Sequence, residues 1–114
     1  MRLCVATATD RPLVEGALRR LGVLDAFTRI FTCTEVRAGK DRPDIYFCAL
    51  EHLGVAQEDA LVFEDALHAI ETAKAAGFRV AAVRDASMEK NEARIRALSD
   101  VYLIDYADWR EPLD

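Results

Sequence analysis

Three times along this chain a short apolar run gives way to apolar residues at helical spacing, and each helical stretch stops at a glycine. That rhythm constrains the fold more than any other feature, because singly alternating strands and helices build parallel βαβ units. Residues 3–7, Leu-Cys-Val-Ala-Thr, predict a strand. Asp10 and Pro12 supply an N-cap and an early-turn proline, Leu13, Ala17, Leu18 and Leu21 recur at helical spacing, and Gly22 is the stop. Residues 29–34 predict a second strand, whose polar threonines suggest an edge position. After a loop over 37–44 marked by Gly39 and Pro43, a helix carries Ile45, Leu50 and Leu53 and ends at Gly54. Residues 60–63 read as the third strand, 66–76 as a helix closed by Gly77, and 79–83 as the fourth strand. Ser87 is a candidate cap for a helix bearing Ile95 and Leu98, residues 101–104 form a short last strand, and 105–114 are a polar tail. The expected fold is α/β, a three-layer Rossmann-like parallel sheet, with residues 1–114 as one domain or part of one.

The most informative local stretch is Ala60-Leu-Val-Phe-Glu-Asp-Ala66. Four apolar residues without alternation predict a strand buried on both faces. Glu64 and Asp65 then stand at its carboxyl end, the edge where open α/β sheets bind ligands. Paired oxygen donors with a helix starting behind them suit a hard cation such as magnesium. The competing reading is that Asp65 caps the helix and Glu64 is solvated.

Composition excludes several partners. The net charge is −5 over 114 residues, with no basic run, which argues against a nucleic-acid or anionic-membrane surface. No window approaches the roughly 18 apolar residues that span a bilayer. The opening residues lack the apolar region of a signal peptide and read better as a strand. Cys4, Cys33 and Cys48 show no metal-type spacing; Cys4 and Cys33 fall in predicted strands and Cys48 reads as core, which fits a reducing cytoplasm. His52 and His68 read as solvated or packed, and the charges from Glu89 to Arg96 as a solvated helix face.

Val5-Ala-Thr-Ala-Thr-Asp-Arg11, Gly39-Lys-Asp-Arg-Pro-Asp-Ile45 and Val62-Phe-Glu-Asp-Ala66 through Ala75-Ala-Gly77 occur in that order. Together they resemble the second, third and fourth motifs of the haloacid dehalogenase superfamily, most closely its β-phosphoglucomutase-like branch of sugar-phosphate phosphatases and mutases. The resemblance implies phosphoryl transfer through an aspartyl-phosphate, with Mg2+ as cofactor and a small phosphorylated metabolite as substrate. It implies that Thr7 and the backbone N–H groups near Ala8 bind phosphate, that Lys40 pairs with phosphate and nucleophile, and that Glu64 and Asp65 hold the metal, with Asp65 the better candidate for the direct or water-mediated ligand.

Departures from the pattern carry equal weight. The family's first motif, an apolar strand followed by Asp-x-Asp-x-Thr, is absent, and with it the nucleophile, the usual general acid/base and the helical cap that follows. Asp41 stands where proline is usual, and Ala66 and Ala69 where serine and glycine are common. In the family the first-motif strand lies at the sheet centre, beside the strands that here end at Thr7 and at Asp65. Losing about four large apolar side chains, each contributing about 1.5–3 kcal/mol, removes roughly 6–12 kcal/mol. That compares with the whole stability of a domain, about 5–15 kcal/mol. The chain is therefore expected to rearrange its strands, to form a homodimer, or to need a separate N-terminal strand.

Two functions stay open. The chain is either the C-terminal portion of a magnesium-dependent phosphatase or phosphomutase-like hydrolase, inactive alone, or a non-catalytic binding module that keeps a phosphate or metal pocket. Retention of Thr7, Lys40, Glu64 and Asp65 together favours the first. A receiver-like phosphoacceptor domain is a weaker third reading, since its acidic cluster is not found.

Overall fold

A computed structural model describes residues 2–104, and the tail with Trp109 lies outside the described residues. The backbone forms two compact units, Met1–Ala56 and Gln57–Asp114, each carrying its own parallel sheet.

The first unit runs β1 (Cys4–Thr7), α1 (Arg11–Arg20), β2 (Arg29–Thr32), α2 (Cys33–Val36) and α3 (Asp44–Leu53). β1 and β2 pair in parallel, from Cys4 opposite Arg29 to Thr7 opposite Thr32, and α1 is the crossover that parallel pairing requires. Pro12 lies in the first turn of α1, and Gly22 at φ 73° ends it. Val23 N–H reaches back to the Leu18 carbonyl at 3.0 Å, closing a Schellman turn. Asp10 occupies the N-cap position without capping through its side chain; its Oδ1 instead accepts a hydrogen bond from Thr34 Oγ1 at 2.9 Å.

The second strand is shorter than its β-branched content predicts. It ends at Thr32, whose hydroxyl oxygen accepts the Glu35 N–H at 3.2 Å and starts α2. Cys33 and Thr34 are therefore helical, because the threonine works as a cap instead of extending the ladder. Within this unit Ile30, Thr32, Ile45 and Tyr46 are buried, and no residue of β1 is. The helical spacing of α1 correctly predicts a helix but not burial of its apolar face. Leu13 and Leu21 remain 69% and 75% exposed.

The second unit runs β3 (Leu61–Glu64), α4 (Leu67–Ala75), β4 (Arg79–Val83), α5 (Glu92–Leu98) and β5 (Val101–Leu103). The sheet order is β3-β4-β5, all parallel, with Glu64 opposite Ala82 and Ala82 opposite Tyr102. β4 is central, and its Val80, Ala81 and Ala82 are fully buried. α4 covers the sheet with Ala69, Ile70 and Ala73, also fully buried, and the small alanines let helix and strand approach closely. Asp100 ties the start of β5 to its neighbours: one carboxylate oxygen accepts from Val80 N–H at 2.8 Å and from Lys74 Nζ at 2.9 Å.

Two expectations are corrected here. β3 was the strand expected to be buried on both faces, yet Leu61, Val62 and Phe63 are half-buried. The reason is its place in the sheet: among the described residues β3 has a paired strand on one side only, whereas β4 has one on both. Ser87 does not cap α5, whose N-cap position is Asn91 with no side-chain cap bond; Asp85 caps the segment before it, one oxygen accepting from Ser87 N–H and from Ser87 Oγ, each at 2.9 Å. A 3₁₀ segment, Ala86–Asn91, then leads into α5.

The burial contrast sets a stability prediction. Ile70→Ala, at a fully buried site, should lower the unfolding free energy by about 2–5 kcal/mol. Leu13→Ala, at a site 69% exposed, should stay within about 0.5 kcal/mol of the parent. Urea unfolding of both variants tests this, and comparable losses would show that the exposed face of α1 is covered in solution.

Candidate functional site

Parallel pairing brings the loops after β1 and β2 to the same edge of the first sheet. Thr7, half-buried, is the last residue of β1, and exposed Ala8 follows it. The Thr7 hydroxyl oxygen accepts the Thr9 N–H at 3.0 Å, which tightens the turn and uses a lone pair of that oxygen, not its hydrogen. Lys40 sits in the loop after α2. That helix stops because Arg37 takes the left-handed conformation, φ 64°, and the N–H groups of Arg37 and Ala38 both return to the Cys33 carbonyl. Arg42 N–H then closes on the Gly39 carbonyl at 3.1 Å, holding Lys40 within a turn. Its Nζ lies 6.0 Å from the ring centroid of buried Tyr46.

An ion cluster joins the same two loops. Arg11, the first residue of α1, forks onto both Glu35 oxygens at 2.8 Å. It also reaches Glu15 Oε1 at 3.0 Å and the Ile30 carbonyl at 2.6 Å. The hydrogen bonds from Arg11, assisted by Thr32 and opposed by partial burial, hold the Glu35 carboxyl down at about 2.

In the second unit Glu64 ends β3, 9% exposed, and one of its oxygens accepts the Asp65 N–H at 3.3 Å. Asp65 follows at the carboxyl edge of the sheet. Its carboxyl is held above the ordinary carboxylate range, first by burial, then by a hydrogen bond with Asp85 and the negative charge of Glu64. Asp85 moves the other way, lowered by the Ser87 N–H, the Ser87 hydroxyl and the bond from Asp65.

Thr7, Ala8 and Lys40 thus lie in the first unit and Glu64 and Asp65 in the second; all but Lys40, which follows α2, stand at the carboxyl end of a strand or just after it. Sequence reasoning missed Asp85 and the Arg11–Glu35 fork. Asp85 had a usable signal, an acid just past the carboxyl end of a strand, the same signal that marks Asp65. Glu35 had none, because its partner stands 24 residues earlier. His52 is exposed but partnered: its Nε2 bonds Thr28 Oγ1 at 3.1 Å and its ring meets Phe31 edge-on. His68 is exposed.

An open α/β protein with hydroxyl, ammonium and carboxylate groups at its carboxyl strand edges belongs to the class that binds polar ligands there. Residues 1–83 match the family model of haloacid dehalogenase-like hydrolases. The phosphorylated carbohydrates phosphatase of Thermotoga maritima is 38% identical over 77 residues, 68% of this chain and 36% of that protein. The β-phosphoglucomutase of Bacillus subtilis is 33% identical over 96 residues, 82% of this chain and 42% of that protein. The crystal structure of CbbY from Rhodobacter sphaeroides in complex with phosphate matches with a TM-score of 0.83 at 34% identity, over 95% of this chain and 48% of that one. The chain belongs to the haloacid dehalogenase-like hydrolase family, in its phosphoglucomutase-like branch. It spans about a third to a half of the length of the curated relatives it matches.

The depressed Glu35 carboxyl gives a pH prediction. Its folded value, about 2, lies below the ordinary 4.5, so the pair stabilises the fold fully above about pH 4.5 and loses that contribution as pH falls toward 2. Glu35→Gln should therefore be less stable than the parent at neutral pH, and the difference should shrink to nothing on acidification. Thermal midpoints measured from pH 7 to 2 check this; a difference independent of pH would refute it.

Proposed function

We propose that this chain supplies the phosphate-binding and metal-binding half of a magnesium-dependent phosphatase or phosphomutase-like hydrolase acting on a small phosphorylated metabolite, a sugar phosphate by class. The observation that carries this reading is positional: Thr7, Ala8, Glu64 and Asp65 stand at the carboxyl end of a parallel strand or just after it, and Lys40 lies in the loop after α2, the helix that follows β2.

In this reading Thr7 donates its hydroxyl hydrogen to a phosphate oxygen, and the N–H groups at Ala8 and the start of α1 add backbone donors. Lys40 supplies a point charge against the transferred phosphoryl group. Glu64 and Asp65 fit Mg2+, which takes hard oxygen donors and commonly uses one or two carboxylates with substrate phosphate and water. Among the described residues no group of three or more His, Cys, Asp or Glu is arranged to hold an ion. The crowding of Asp65 by Asp85 and Glu64 supports the fit, since a divalent cation offsets concentrated negative charge. Bound there, the ion supplies charge neutralisation for the phosphoryl oxygens.

The nucleophile is not among these residues. No two aspartates stand two apart anywhere in the 114 residues, so the reading assigns the attacking carboxylate to a segment outside this chain, and this chain alone turns over no substrate. The same observation favours a second reading, a binding module that keeps the pocket without the chemistry. The three free thiols, Cys4, Cys33 and Cys48, agree with a reducing compartment, and among the described residues no helix is long and apolar enough to cross a membrane.

Phosphate release from an aryl phosphate, with and without Mg2+, should be nil for the chain alone and should appear when an N-terminal segment bearing Asp-x-Asp-x-Thr is added. Absence of turnover in the completed protein would favour the binding module. Magnesium-dependent turnover by the 114-residue chain, abolished in Asp65→Asn, would place the nucleophile inside it and overturn the reading.

A separate binding test needs no turnover. Magnesium at ten times its dissociation constant should stabilise the chain by about 1.4 kcal/mol, read as a raised thermal midpoint, and Asp65→Asn should lose the rise. An equal rise in both would remove Asp65 from the metal site.

A further inference from the structure

Arg11 has the character of a phosphate ligand by charge and position, yet its donors are committed elsewhere. A guanidinium has five N–H donors, and four are used: Nε and one Nη2 hydrogen on Glu35, the other Nη2 hydrogen on the Ile30 carbonyl, and one Nη1 hydrogen on Glu15. One residue earlier, Asp10 Oδ1 accepts from Thr34 Oγ1 at 2.9 Å. The two links are consecutive on both sides, 10 to 34 and 11 to 35. On one side they hold the turn that follows Thr7. On the other they hold α2, whose Arg37 stop lies three residues before Lys40.

We propose that Asp10–Thr34 and Arg11–Glu35 form a two-point staple that keeps the Thr7–Ala8 turn and the Lys40 loop in fixed register, with Arg11 and Glu35 as positioning residues for phosphate bound between those loops. The inference rests on the reading of Thr7, Ala8 and Lys40 as phosphate-binding. Exposed ion pairs usually contribute little. This one differs in geometry, because a planar fork on both carboxylate oxygens, locked also to a backbone carbonyl, fixes direction as well as distance. Lysine keeps the charge but not the fork, so Arg11→Lys separates the staple from a simple charge effect.

The test uses amide 1H–15N spectra of the 114-residue chain and of Glu35→Gln, Arg11→Lys and Thr34→Val, each titrated with inorganic phosphate. The expected result is crossed propagation. Glu35→Gln and Thr34→Val shift the amides of Thr7, Ala8 and Thr9, while Arg11→Lys shifts those of Gly39 and Lys40, with α4 and β4 undisturbed. Phosphate affinity should fall about fivefold or more in each variant. Shifts confined to the side of the substitution, with phosphate affinity unchanged, overturn the staple. Thr34→Val, the mildest change, still decides the point if a variant of the ion pair does not fold. A parent chain that binds no phosphate sinks the phosphate reading instead, while the crossed shifts still decide whether the staple couples the loops.

Discussion

Parallel pairing is the constraint on which the rest of this molecule depends. A parallel ladder needs a crossover between its strands, so every strand here is followed by a loop at the same edge of its sheet. That geometry puts Thr7 level with Thr32 in one unit and Glu64 level with Ala82 in the other. The residues just beyond those pairs, Ala8 to Arg11, Cys33 to Lys40, Asp65 and Asp85, then fall on carboxyl edges without any further device. Chemistry at such an edge needs only that the right side chains be written at the strand ends.

Much of this was legible because its signals are local. The strands, four of the five helices and the glycine stops follow from spacing within ten or so residues, and Gly22, Gly54 and Gly77 all take positive φ. The candidate site residues were legible for the same reason: a strand followed by Glu64-Asp65, and a loop marked by Gly39-Lys40, are both readable in single short windows. Asp85 carried the same strand-end signal as Asp65 and went unread, whereas Glu35 carried none, because its partner stands 24 residues earlier. No local pattern distinguishes Glu35, forked by Arg11, from a solvated acid on a short helix.

Burial was the least legible quantity, and β3 and α1 show why. An apolar residue becomes buried only when another element covers it, and coverage is a property of the whole sheet. β4, flanked on both sides, buries Val80, Ala81 and Ala82, while β3 is paired on one side among the described residues and its Leu61, Val62 and Phe63 stay half-buried. The face of α1 with Leu13 and Leu21 is amphipathic in sequence and exposed in structure. Apolar surface of that kind, next to a sheet of two strands, is where a further segment or chain would gain most by binding.

The two units also differ in electrostatic character. In the first unit the Arg11 guanidinium is neutralised by Glu35 and Glu15. In the second unit partial burial, then a hydrogen bond with Asp85 and the charge of Glu64, push the Asp65 carboxyl upward. The arginine fork therefore matters beyond its small contribution to stability, because a planar guanidinium on both Glu35 oxygens fixes the direction of α2 against the start of α1.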